Sequence, residues 1–223
     1  MANSIINGVT EVVNKYGRII VLEDDIVTSK WFLKYMNDAL EVYKDEEKVM
    51  TIGGYLYPID NKSLSTPFFL KKGNCWGWAT WSRAWAYFER NPDKLVKNFD
   101  SVKIKKFNFD NEENIWGQVL DNIDGKIYTW AVFWSAIMFL KDGLILHPNE
   151  SMTKNIGLDG SGVHCQADNK YLTTKLSDEL KYLPLVIAES YEGYIIFKKF
   201  FHDNRLTLWK RIKNKLKKIL VSL

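Results

Sequence analysis

Residues 18–25 read Arg-Ile-Ile-Val-Leu-Glu-Asp-Asp, an apolar run rich in β-branched residues that stops on three consecutive acids. The apolar run predicts a short strand, buried on both faces and therefore parallel to its neighbours. The downstream segment narrows the fold further. Ser29 can cap a helix whose buried side carries Trp31, Phe32, Tyr35, Met36, Ala39, Leu40 and Tyr43. Val49 to Ile52 is a second short strand, closed by Gly53-Gly54. Strand, acids, helix and strand in that order are the grammar of an α/β sheet.

The rest of the chain continues that grammar. Ile5, Ile6, Val9, Val12 and Val13 recur at helical spacing before Gly17, a C-terminal stop. Residues 55–66 read as a polar loop and Phe68 to Leu70 as a strand. The aromatic stretch from Cys75 to Trp81 leads into a short helix through Trp85 and Phe88. Residues 91–111 suggest loop with one or two helical turns. Helices are expected over Glu112 to Ile123 and Thr129 to Leu140, and a strand over Leu144 to Leu146. A glycine-rich loop, residues 155–162, runs on to His164. Three regions result: an α/β domain over 1–165, an extension over 166–205, and a basic amphipathic helix over 206–223.

Charge and cysteine content exclude several classes. The net charge is +4, yet residues 206–223 hold six Lys/Arg and no acid, leaving the remainder at about −2. Basic charge confined to one terminal helix argues against a nucleic-acid partner. It fits an in-plane helix drawn to anionic lipid, or a helix docked on the domain with a solvated basic face. Two cysteines, Cys75 and Cys165, lie outside any C-x-x-C pattern, so neither a disulfide framework nor a zinc ribbon is expected. A reducing cytoplasm suits them. No apolar run reaches the roughly 18 residues a spanning helix needs, and the first eight residues lack a secretory-signal pattern. A peripheral position at the inner face of the cell membrane is the expectation.

Three acids in a row repel one another, and a divalent cation relieves that repulsion. Strand alternation puts Glu23 and Asp25 on one side and Asp24 on the other. Open α/β sheets bind ligands at the carboxyl ends of their strands, where this cluster sits. Hard oxygen ligands suit Mg²⁺ or Mn²⁺, which can bridge to a diphosphate. The competing reading is an acid cluster favoured by the dipole of the following helix. In Cys75-Trp76-Gly77-Trp78, Gly77 lets the backbone approach a ligand. Trp76 and Trp78 serve equally as flat faces for a sugar ring or as a buried turn, whereas Trp81 and Trp85 read as core.

IIVLEDD with its helix FLKYMNDAL, CWGWATWSRAW, and HPNESMTKNIGLDGSGVHC occur in this order. Together they resemble GT-A-fold glycosyltransferases, being similar to the N-acetylglucosaminyltransferase I group and to bacterial family-2-like sugar transferases. The resemblance runs from about Ile5 to about Cys165. It implies an α/β, Rossmann-like nucleotide-diphospho-sugar transferase fold with a mixed sheet. It implies a metal-dependent transfer of a sugar from a nucleotide-diphosphate donor to a glycan or glycolipid acceptor, in bacterial surface polysaccharide synthesis. Asp25 would be the direct metal ligand and His164 a late one. Glu23, Asp24, Trp76, Gly77, Trp78, Gly157 and Asp159 would line the donor site, with the loop after residue 155 folding over it. Similar enzymes place an acid just before a Trp as general base. No acid adjoins Trp130, and Asp124 and Asp121 are the nearest candidates.

Only one helix and one strand precede Glu23, leaving no room for the units of about 30 residues that would hold base and ribose. The expectation is an N-terminally incomplete fold whose first strand is an unpaired sheet edge beside the metal site. Such a chain would bind nucleotide-sugar weakly alone, and would self-associate or take a partner chain at that edge. A non-catalytic relative that keeps the fold as a glycan-binding or partner subunit is the competing function.

Overall fold

Fifteen helices and strands are seen in a computed structural model that describes residues 2–157, 169–173 and 175–205. In chain order they are α1 (Ala2–Tyr16), β1 (Arg18–Val21), β2 (Ile26–Thr28), α2 (Phe32–Val42), β3 (Val49–Gly53) and β4 (Phe68–Leu70). Then come β5 (Trp78–Trp81), α3 (Ser82–Trp85), α4 (Pro92–Asn98), α5 (Ser101–Phe107) and α6 (Trp116–Ile123). The last are α7 (Ala131–Leu140), β6 (Leu144–His147), β7 (Thr153–Asn155) and α8 (Tyr191–Asp203). Five strands form a mixed sheet in the order β1-β5-β3-β6-β4, and β2 pairs with β7 in a separate ribbon. Only β3 and β6 run parallel; every other pair is antiparallel. The fold is thus mixed α/β.

Alternation along the strands divides the core between two faces. Ile52, Ala79, Leu144 and Leu146 meet Phe32, Met36, Ala39 and Leu40 of α2 on one face. Trp78 and Ile145 meet Val9 and Val13 of α1, Trp85 of α3, and Trp134 and Met138 of α7 on the other. Each fully buried side chain of this size contributes about 2 kcal/mol. Helix ends follow local chemistry. Gly17 ends α1 at φ +78°, and its N–H donates to the Val13 carbonyl. Asn91, Asp100 and Ser190 cap α4, α5 and α8 through their side chains.

Several expectations are corrected. β1 is an edge strand, as expected, but it is bonded antiparallel to β5 and is not buried on both faces, with Arg18 exposed and only Val21 buried. The partner is Trp78–Trp81, expected as part of an aromatic turn and in fact a fully buried strand. Residues 91–111 carry two capped helices. Helix α6 begins at Trp116 and not Glu112, because Phe109, Asp110 and Asn111 all adopt positive φ, 52°, 55° and 68°. Ser29 does not cap α2 directly. Its hydroxyl accepts from the Trp31 N–H and donates to the Ser177 carbonyl, tying the helix start to the later chain. Among the described residues no helix is long and apolar enough to cross a membrane. The 206–223 tail lies outside the described residues.

Candidate functional site

The sheet ends in the acidic turn. Beyond β1 the chain reverses at Asp24 and Asp25, closed by the Ile26 N–H donating to the Glu23 carbonyl at 3.2 Å. Glu23 and Asp25 are half-buried and Asp24 is exposed, as alternation predicts. The β2–β7 ribbon then pins the turn from below, pairing Ile26 with Asn155, and the Ile156 N–H donates to the Asp25 carbonyl at 2.9 Å. Asn155 is buried and bridges the two chain segments. Its amide N–H donates to Asp25 Oδ2 at 2.9 Å, and its carbonyl accepts the Gly157 N–H at 2.7 Å. A Cβ on Gly157 would stand 2.9 Å from Asp25 Oδ2, so a larger residue here would have to displace that carboxylate. Asp25 Oδ1 is buried and has no hydrogen-bond partner among the described residues. Burial raises the pKa of Glu23, and the charges of Asp25 and Asp24 add to the effect.

The segment from Cys75 to Trp78 joins this turn to a cavity. Gly77 has φ +77°, and a Cβ there would meet Thr153 Cγ2 at 2.7 Å. Its glycine lets the turn pack against β7 and Leu22. Thr153 Oγ1 donates to the Trp76 carbonyl at 2.7 Å, which completes the tie. The Cys75 thiol is pushed up to about 12 by burial, with the Glu23 and Asp25 charges adding to it, so both acids lie within its electrostatic reach.

Cys75, Trp76 and Trp78 border a cavity of about 250 Å³, together with Tyr55, Tyr57 and Trp130. Trp76 stands edge-on to Tyr55 at 4.6 Å between ring centroids and is half-buried, open to a ligand. Trp78 is sealed in the core against Trp85 and Trp130, yet its Nε1 has no hydrogen-bond partner among the described residues. It therefore belongs both to the core and to the cavity wall. Trp81 and Trp85 are core, as read from the sequence.

Lys72 and Glu113 supply the charge in this cavity. Lys72 Nζ lies 2.7 Å from Glu113 Oε2, with side chains 9% and 23% exposed. The contact has ion-pair distance but lacks hydrogen-bond geometry, so Oε2 stays without a bonded partner. The left-handed run Phe109–Asn111 turns the chain so that Glu113 precedes α6. Each such non-glycine residue costs on the order of 1 kcal/mol, and the Glu113 N–H donating to the Asn108 carbonyl and Asn108 Oδ1 accepting from Trp116 N–H hold it. Sequence reading missed both residues. The signal for Glu113 was an acid shortly before a Trp, present at Trp116 and sought at Trp130. Lys72 carried none.

Asp121 and Asp124 are elsewhere. Both are about half exposed, both pair with Lys126, at 3.5 and 2.5 Å, and neither borders this cavity. Asp159 and His164 lie outside the described residues. Among the described residues no group of three or more His, Cys, Asp or Glu side chains is arranged to hold a metal. Asp25, with its orphaned Oδ1, is the residue that fits as a single protein ligand. That donor set suits a hard cation completed by phosphate and water oxygens. No family model matches this sequence, and comparison with curated proteins finds no significant match.

Proposed function

We propose that the chain is a GT-A-type glycosyltransferase domain that moves a sugar from a nucleotide-diphosphate donor to a glycan or glycolipid acceptor with Mn²⁺ or Mg²⁺. One observation carries the reading. Among the described residues Asp25 Oδ1 and Trp78 Nε1 are buried without a hydrogen-bond partner, and Glu113 Oε2 has only the Lys72 ammonium. Each such atom costs about 1–3 kcal/mol, and gathering them around one turn and one cavity makes sense where a polar ligand satisfies them.

Asp25 offers its free oxygen to the cation, and Asn155 holds the carboxylate in place. The cation supplies charge neutralisation of the departing diphosphate. Trp76, half-buried at the cavity, gives a ring face for a sugar, backed by the buried Tyr55 and Tyr57. Glu113 replaces Asp121 and Asp124 as the base that takes the acceptor hydroxyl's proton. Lys72 positions its carboxylate.

Mn²⁺ uptake followed by electron paramagnetic resonance tests the reading directly. Millimolar UDP or GDP is expected to tighten Mn²⁺ uptake by the wild type, and Glu113→Gln is expected to retain this while losing transfer. Uptake that neither nucleotide enhances would remove the donor-site assignment.

A further inference from the structure

A second cavity, of about 550 Å³, opens on the far side of the Lys72 wall. It shares Lys72, Ile115 and Ser135 with the Glu113 cavity, so one wall serves both. Its lining combines rings, Phe107, Phe109 and Phe139 among them, with four lysines. Aromatic walls with concentrated cationic charge form an uncommon surface, and how the charges are matched says what the cavity can hold.

The acids are already satisfied. Asp110 takes Lys198 Nζ at 2.7 Å and the Tyr194 hydroxyl at 3.0 Å. Asp142 takes Lys71 Nζ at 2.5 Å, and Glu189 receives the Lys71 backbone N–H and lies 3.8 Å from its ammonium. Lys72 faces Glu113. Two lysines of α5 remain, three residues apart and so on one helical face. Lys103 donates to the Asn98 carbonyl and reaches Asp100 only at 3.9 Å, an exposed contact of little worth. Lys106 has no ion pair or side-chain hydrogen bond among the described residues. The cavity therefore holds uncommitted positive charge over an apolar, ring-lined floor, with a nine-tenths buried ammonium, Lys72, at its inner wall.

We propose that this cavity binds an anionic group, phosphate or carboxylate, carried on an apolar or ring-bearing body. The anion sits at Lys103 and Lys106, and the body lies on the phenyl rings toward Lys72. That this ligand is the sugar acceptor, reaching Glu113 across the shared wall, rests on the transferase reading; the binding site itself does not.

Calorimetric titration without metal tests the proposal, using 4-nitrophenyl phosphate, 4-nitrophenyl β-glucuronide and the uncharged 4-nitrophenyl β-glucoside. At least one charged probe is expected to bind about tenfold tighter than the glucoside, the effect of one charge-assisted hydrogen bond. Preference for the phosphate points to a phosphate-bearing acceptor, and preference for the glucuronide to an acidic sugar. The double variant Lys103→Ala/Lys106→Ala, at two exposed positions, is expected to lose that tenfold advantage while keeping its melting temperature. Equal binding of charged and neutral probes, or unchanged charged-probe binding in a folded double variant, overturns the proposal. Mn²⁺ uptake with UDP, measured on the same double variant, is expected to match the wild type. If uptake fails in both proteins while anion binding holds, the transferase reading falls and this site stands.

Discussion

Two acidic clusters lie on this chain, and the sequence makes them look alike. Glu23-Asp24-Asp25 comes after a strand, and Asp121 and Asp124 close helix α6. In the fold they diverge. The first is pinned by the β2–β7 ribbon and by Asn155, partly buried, and left with an oxygen that nothing in the described protein satisfies. The second is solvated, and its two carboxylates share Lys126. Acid density alone therefore does not distinguish the two clusters. A carboxylate oxygen withheld from water and from a partner does, because that oxygen is the one that would gain by binding a ligand.

The strongest way to break this contrast is Asp25→Ala. If the withheld charge is what binds the cation, nucleotide-enhanced Mn²⁺ uptake should fall by on the order of 10²-fold, with transfer falling in step. The paramagnetic resonance titration reads the first and an acceptor assay the second. A folded Asp25→Ala protein with wild-type uptake would erase the distinction between the clusters.

Burial can be separated from ligand binding at His147. This ring is fully buried like the core strands around it, its Nε2 lies 2.6 Å from the Lys72 carbonyl, and its Nδ1 has no partner among the described residues. Its neighbours are Phe68 and Phe197, rings and not acids. Burial lowers its pKa to about 4, with the Lys72 charge acting in the same sense and its backbone bond opposing. The unfolded chain takes up this proton near pH 6.5, and the folded protein does so only near pH 4. Stability is therefore full above about pH 6.5 and is lost progressively as pH falls toward 4, by on the order of 3 kcal/mol. Urea unfolding of the wild type and His147→Gln at about pH 7 and about pH 5 checks this. The variant should show a smaller loss, and an identical loss in both proteins would mean that His147 is not the group responsible.

Asn155→Ala sharpens the contrast in another way. It removes the residue that orients Asp25 without touching the charge. Groups that hold a metal ligand typically tune affinity by about 10–100-fold, so Mn²⁺ uptake should weaken about tenfold while Asp25→Ala loses more. Equal losses in the two variants would mean that Asn155 supports the fold of the turn and not its carboxylate.

How much of this was legible depended on whether the decisive contact was local. Helices α1, α2 and α7 and strands β3, β4 and β6 follow from periodicity within their own residues, and Gly17 announces its own turn. The acids at the end of β1 were legible for the same reason, but the turn into β2 was not, because β2 exists through its pairing with β7. The direction of β1 was not legible either, because it depends on pairing with β5, about 60 residues later, whose Trp-Ala-Thr-Trp sequence resembles a turn or a core plug. Glu113 was hidden by three consecutive left-handed residues, none of them glycine, which no local rule anticipates. Lys72 and Glu113 meet across 41 positions of sequence, and the cavity between them exists only once the sheet and α6 are in place.

The smallest expected effect closes the comparison from its other side. Asp121 and Asp124 share one exposed lysine, and water screens that pairing. Neither carboxylate has lost its hydration, so neither holds free energy that a ligand could recover. The double variant Asp121→Asn/Asp124→Asn should therefore melt, take up Mn²⁺ with UDP, and transfer sugar as the wild type does. Kinetics separate this from a hidden role. A base lost from the helix end would lower kcat with little change in KM, whereas a mere change of surface charge would alter only the salt dependence of substrate capture. A selective fall in kcat would return the base to α6 and displace Glu113. No change in kcat would leave Glu113, paired with Lys72 at the cavity, as the candidate base.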